Sequence, residues 1–180
     1  MSLTRQELTK DSTIYNYMLL SRIRNAQWMP PLYWGIFGGA LLVCWLFGEH
    51  TGHAIYWLIG GLPGSLYLYY AVTKSYLHFT GAHSSQSWKT SFSCPWIGFL
   101  PHQQFVSYRI LLHSQLHIFG IALCTLMLLL SWSGPWDAAA LLFVHLWLLM
   151  PRFAILLWFR RSAPSGWLRI TKTETSYYKQ

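Results

Sequence analysis

Four stretches of this sequence, about 32–48, 54–73, 110–132 and 136–159, run for close to twenty residues with almost no charge. A helix needs about 20 mostly apolar residues to cross the hydrocarbon core of a bilayer. The runs therefore predict four crossings. Composition agrees: 53% of residues are apolar and only 10% charged, where a soluble domain carries about 25%. Aromatic residues make up 18% of the chain, with 11 Trp and 11 Tyr. That load is hard to bury in one small core, but natural where amphipathic rings line two membrane interfaces. The expected fold class is an all-α membrane protein with about four transmembrane helices.

The first run is the shortest and gains length if Tyr33 and Trp34 sit in the interface. Only a few residues join it to the second, so the two should form a helical hairpin. Before it, residues 1–31 read as an interfacial amphipathic helix on the cytoplasmic side. Ile14, Met18, Leu19 and Ile23 recur near helical spacing, Arg22 and Arg24 keep one end polar, Ser12 can cap the start, and Pro30 and Pro31 stop it. Residues 160–180 have the polarity of a basic, flexible cytoplasmic tail.

Every Lys and Arg lies in the first segment, the central loop of roughly 75–109, or the last thirty residues. The connections near 49–53 and 131–137 hold Glu49 and Asp137 instead. The positive-inside rule then places both termini and the central loop in the cytoplasm, with the chain in the plasma (bacterial inner) membrane. The first thirty residues show no uninterrupted apolar core, so the first span is expected to direct insertion. The formal net charge of +8 would suggest nucleic acid in a soluble protein. Here the cations flank apolar spans, so anionic lipid headgroups are the expected partners and nucleic acid is not. Cys44, Cys94 and Cys124 are too few and too scattered for a disulfide framework or a zinc site.

Two small-x-x-x-small pairs, Gly35/Gly39 and Gly60/Gly64, would let helices approach closely. The run Gly60-Gly61-Leu62-Pro63-Gly64 predicts a kink or a partly unwound turn. Ionisable groups inside lipid are costly and are functional candidates by default. No two carboxylates share a helical face, so no acid/base pair is available and no enzymatic activity is expected. Four polar residues fall within spans: His113, His117, His145 and Arg152. His113 and His117 sit one turn apart but lack the glutamate of a zinc-protease motif. The three histidines carry the alternative of a haem b electron carrier, with hydrogen bonding between helices as the plainer role. Otherwise no cofactor and no metal are expected. Arg152 is expected either to snorkel to cytoplasmic headgroups or to follow a span that ends near Met150, and its fork would also suit a phosphate.

The central loop is too long for a simple turn. It ends in Pro95-Trp96-Ile97-Gly98-Phe99-Leu100-Pro101-His102, followed by Phe105 to Arg109 at the start of the third run. Trp96, Phe99, Leu100, Pro101, His102 and Arg109 are candidates for docking a cytoplasmic partner; a re-entrant or interfacial stretch is the alternative.

In its order of elements and its Leu100-Pro101 string the chain resembles the permease subunits of bacterial ABC exporters, the ABC-2 type and the EcsB-like group. The resemblance covers about two thirds of the chain and implies a membrane subunit of a transport complex. Its interfacial helix, two-span hairpin and docking segment would correspond to residues 12–28, the spans up to Ala71, and Phe99-Leu100-Pro101 leading to Arg109. Such permeases generally have about six spans and this chain offers four. No Walker motif is present, so an ATPase subunit would be a separate chain. The remaining alternative is a scaffold or immunity protein without a small-molecule site. Homo- or hetero-oligomers fit each of these readings.

Overall fold

A computed structural model describes residues 18–47, 53–81, 88–101, 104–160, 166–171 and 173–179. The first element is a strand, β1 (Met18–Arg24), followed by helices α1 (Met29–Leu46) and α2 (Ala54–Phe79). Three strands come next, β2 (Trp88–Ser93), β3 (Trp96–Pro101) and β4 (Phe105–Ser107). Helices α3 (Tyr108–Leu130) and α4 (Pro135–Arg160) then precede strands β5 (Trp167–Ile170) and β6 (Glu174–Lys179).

The all-α expectation is thus corrected. Four long helices carry six strands in two antiparallel sheets, a four-stranded sheet of order β1-β6-β5-β4 and a hairpin of β2 and β3. Residues 18–24 are not part of an interfacial helix. Met18 pairs with Lys179 and Arg24 with Glu174 along β6, with a register shift between Leu19 and Ser21. The part of that expected helix before Met18, including Ser12 and Ile14, lies outside the described residues. The tail is likewise no free polar segment, since β5 and β6 form a ladder from Trp167–Tyr178 to Ile170–Thr175. The central loop is occupied by the end of α2, the hairpin and β4. A cis Cys94–Pro95 bond turns the hairpin.

Pro30 and Pro31 do not end a helix; they occupy the first turn of α1, where a missing amide proton costs nothing and the fixed φ suits helix. α2 runs through Pro63 without a break, so the expected unwinding is not seen. α4 starts at Pro135 with Asp137 in its first turn and ends at Arg160, matching charge to the helix dipole at both ends.

Three helices, α1, α3 and α4, are long and apolar enough to cross a membrane, consistent with a membrane protein. Among the described residues the count of four is corrected to three on this criterion. α2 has the length, at 26 residues, but Tyr, Gly, Ser, Thr73 and Lys74 dilute its apolar content. The surface supports the membrane reading. On α1, Leu32, Ile36, Leu42, Val43, Trp45 and Leu46 all face outward, an apolar expanse that a water-soluble chain would seldom leave bare.

α4 packs against both α2 and α3, and α1 lies against α2. Two clusters fill the interior. The first joins Tyr33 and Phe37 of α1, Leu58 and Tyr69 of α2, Ile118 of α3, and Val144, Trp147 and Leu148 of α4. The second lies between the helices and the sheets, where Trp96 and Leu100 of β3 meet Tyr108, Leu156, Phe159, Leu168 and Tyr177. Trp147 ties α4 to α1 by stacking on Tyr33 at 4.0 Å and donating its indole N–H to the Tyr33 carbonyl at 3.0 Å. Gly61 is where α2 comes closest to α4, since a β-carbon there would lie 2.7 Å from Leu141 Cδ2. Gly35, Gly39, Gly60 and Gly64 have nothing within 4 Å, so the two expected pairs are not contact faces within the chain.

Candidate functional site

The buried residues of α4 include His145, Leu148, Leu149, Arg152, Ile155, Leu156 and Phe159. They recur at intervals of three and four, a single helical stripe. Arg152 occupies that stripe and is carried into the bundle with it. Its residual exposure is 1%, so neither expected placement holds: the side chain does not snorkel, and the helix continues past it to Arg160.

Around Arg152 the chain assembles a polar cluster from five elements. Nη1 donates to Gln115 Oε1 of α3 at 3.1 Å. The guanidinium carbon stands 5.5 Å from the centre of the Tyr69 ring of α2, a cation–π distance. From β3, Gly98 at φ +126° approaches so closely that a β-carbon would fall 2.8 Å from Nη2. One turn or two away, the Tyr69 hydroxyl lies 2.7 Å from His145 Nδ1 and donates to the His145 carbonyl at 3.2 Å, while Phe119 stacks on the imidazole at 5.9 Å. Ser114 Oγ donates to Thr73 Oγ1 at 3.4 Å.

No carboxylate among the described residues balances the charge. Among the described residues the acids are Asp137 and Glu174. Glu174 is held by Arg22 in an ion pair, and Asp137 is about 22 Å back along α4 at ~1.5 Å per residue. Several polar atoms of the cluster are fully buried and have no hydrogen-bond partner: Arg152 Nε and Nη2, Gln115 Nε2, the Tyr33 hydroxyl and His145 Nε2. Guanidinium and amide nitrogens only donate. The unfilled capacity is therefore mainly for acceptor atoms, and an uncompensated buried cation costs several kcal/mol.

His113 and His117 take no part in it. Both are exposed on α3, each with Nδ1 against the backbone carbonyl four residues earlier, at 2.8 and 2.7 Å, on the side away from buried Ser114, Gln115 and Ile118. The three histidines considered as haem ligands are not brought together. Among the described residues no group of three or more His, Cys, Asp or Glu could hold a metal ion.

Of the expected docking residues, Trp96, Leu100 and Pro101 are buried. Phe99 is half-buried beside Trp88 and Tyr70, Arg109 is exposed, and His102 lies outside the described residues. Trp96 donates its indole N–H to Thr175 Oγ1 at 2.8 Å, fastening the hairpin to β6. Nearby, burial pushes the Cys94 thiol above its usual range. Burial also raises Tyr177, against a smaller opposite effect from a hydrogen bond with the Gly166 backbone.

Sequence reasoning named Arg152 and His145 but missed Tyr33, Tyr69, Gly98 and Gln115. For Arg152 the three-four spacing from His145 was a usable signal. For Gly98 there was none, because its role depends on a strand meeting a helix some fifty residues later. No family model matches the chain, and neither a curated protein nor a solved structure does, so nothing found bears on the resemblance to ABC exporter permeases.

Proposed function

We propose that the chain is a non-enzymatic subunit of a transport complex in the plasma membrane, with its sheets in the cytoplasm and a separate soluble ATPase as its partner. The observation that carries this reading is how rigidly the sheet end is joined to the bundle. β4 runs into α3 without a linker, Ser107 to Tyr108. The Tyr108 hydroxyl donates to the Leu156 carbonyl of α4 at 3.0 Å, and Trp96 bonds β3 to β6. A force applied to the sheets therefore reaches two candidate spans directly.

Charge supports the orientation. Arg22, Arg24, Lys89, Arg109, Arg160, Arg169 and Lys179 all belong to the strands or to the helix ends that adjoin them, and Asp137 marks the opposite end. That is the asymmetry the positive-inside rule describes. Exposed residues available to a partner include Phe92, Lys89, Arg109 and Arg169.

The test places a photo-crosslinking residue at Phe92 or Arg109 in native membranes, with Trp132 at the other end as control. Crosslinks from the first two positions, and not from Trp132, to a soluble ATPase are expected. Labelling of position 92 from outside sealed cells, or crosslinks only to lipid, would overturn the proposal.

A further inference from the structure

The Arg152 cluster is independent of what meets the sheets. We propose that Arg152, Gln115 and Tyr33 form a binding site for a phosphate group beneath the β2–β3 hairpin. Arg152 keeps Nε–H and Nη2–H unpaired, Gln115 keeps its amide N–H, and Tyr33 its hydroxyl. Arg152 and Gln115 are at least 99% buried, and Tyr33 belongs to the same interior cluster as Tyr69, which stacks under the guanidinium, and Ile97, the neighbour of Gly98. A neutral ligand could occupy some of these donors but would leave the cation unbalanced. A phosphate supplies both the negative charge and several acceptor oxygens, and its geometry matches the guanidinium fork. A carboxylate of the chain would do likewise, but none of the described ones is near.

Access follows from the sheet topology. β2 and β3 pair only with each other, apart from the four-stranded sheet. Lifting Gly98 from Nη2 leaves the other ladder intact but gives up the Trp96–Thr175 bond and the burial of Trp96, Ile97 and Leu100, so the closed hairpin is the rule and the open one a minor state that the ligand must stabilise. The same chemistry is offered by inorganic phosphate and by a phospholipid headgroup at the sheet end of the bundle.

The test uses the full chain in a non-ionic detergent and phosphate-free buffer. Sodium phosphate is titrated in one arm and dihexanoyl phosphatidylglycerol in the other, each against sodium chloride at matched ionic strength. Binding is read by tryptophan fluorescence, since Trp147 stacks on Tyr33, and by broadening of the phosphorus NMR signal. Saturation in the first arm identifies a free oxyanion; saturation in the second alone identifies a headgroup. Arg152→Lys keeps the charge but loses the fork and should weaken binding at least about tenfold. Tyr33→Phe keeps the ring stack and should weaken it about 12- to 160-fold, the value of one hydrogen bond to a charged acceptor. Should Arg152→Lys fail to fold, Tyr33→Phe decides. Absence of saturation in both arms means that water alone fills the donors and overturns the proposal, as do variants that bind like the parent chain.

Discussion

The bond from Trp96 to Thr175 decides whether the Pro95–Pro101 segment belongs to the interior or to a partner's surface. Thr175→Val preserves side-chain shape while removing the acceptor of a fully buried indole N–H. Because the partner donor is left unpaired, the cost is about 1–3 kcal/mol instead of the smaller net value of one hydrogen bond. Trp96→Phe adds a void of roughly 40 Å3, which at ~24 cal/mol per Å3 contributes about 1 kcal/mol beyond the lost transfer energy. It should cost about 2–4 kcal/mol in total. In the double variant the lost bond is counted once, so its effect should fall short of the sum by about 1 kcal/mol. Hydrogen exchange of β3 and β6 amides in the detergent-solubilised chain measures this directly. An opening made easier by 1–3 kcal/mol accelerates exchange about 5–150-fold. If both single variants leave β3 and β6 exchange unchanged, Trp96 is not buried against β6 and the packing described above is wrong.

Three further outcomes are expected. Gly61→Val drives a branched side chain into Leu141 and should lower stability by about 1–3 kcal/mol, while Gly60→Ala, with open space around it, should cost nothing; thermal unfolding in detergent compares them. Tyr69→Phe removes the hydroxyl at His145 and should cost about 0.6 kcal/mol, up to ~1.7 for a strong bond between membrane helices, measured the same way. In a chain with Cys44 and Cys124 changed to alanine, alkylation of Cys94 should rise with pH to a midpoint above the usual thiol range, since burial disfavours the thiolate. The linked stability is present at neutral pH and is lost as pH rises through the raised value; a midpoint at or below the usual range would contradict the burial.

The helices were legible because each announces itself locally. An apolar run of twenty residues allows few alternatives, and the observed bounds differ from those read from the sequence mostly by one to three residues at each end. α2 is the exception, continuing past residue 73 to Phe79 through Lys74 and His78. The strands were not legible for the opposite reason. β1 is seven residues long, and its partner β6 is some 150 residues away, so nothing near Met18 to Arg24 betrays the pairing. Three of its apolar residues, Met18, Leu19 and Ile23, also fit helical spacing. The Trp167–Ile170 and Glu174–Lys179 pair is local, and its Tyr, Thr and Ile content is a strand signal, but basic and hydroxyl residues masked it as a solvated tail. Pro30 and Pro31 carry both stop and start meanings, and only the following apolar run chooses between them. At the polar cluster, charge in lipid pointed to Arg152, whereas Gln115 and Tyr33 became visible only once their neighbours were known.

The β1–β6 ladder also bears on biogenesis. A nascent polypeptide delivers β1 first and β6 last, with every candidate span between them. The four-stranded sheet cannot close until α4 has been synthesised and the last strand has left the ribosome, so through most of synthesis β1 waits with its ladder edge open and Trp96 lacks Thr175. Closure of the sheet is thus a checkpoint: it comes only after every candidate span has been made.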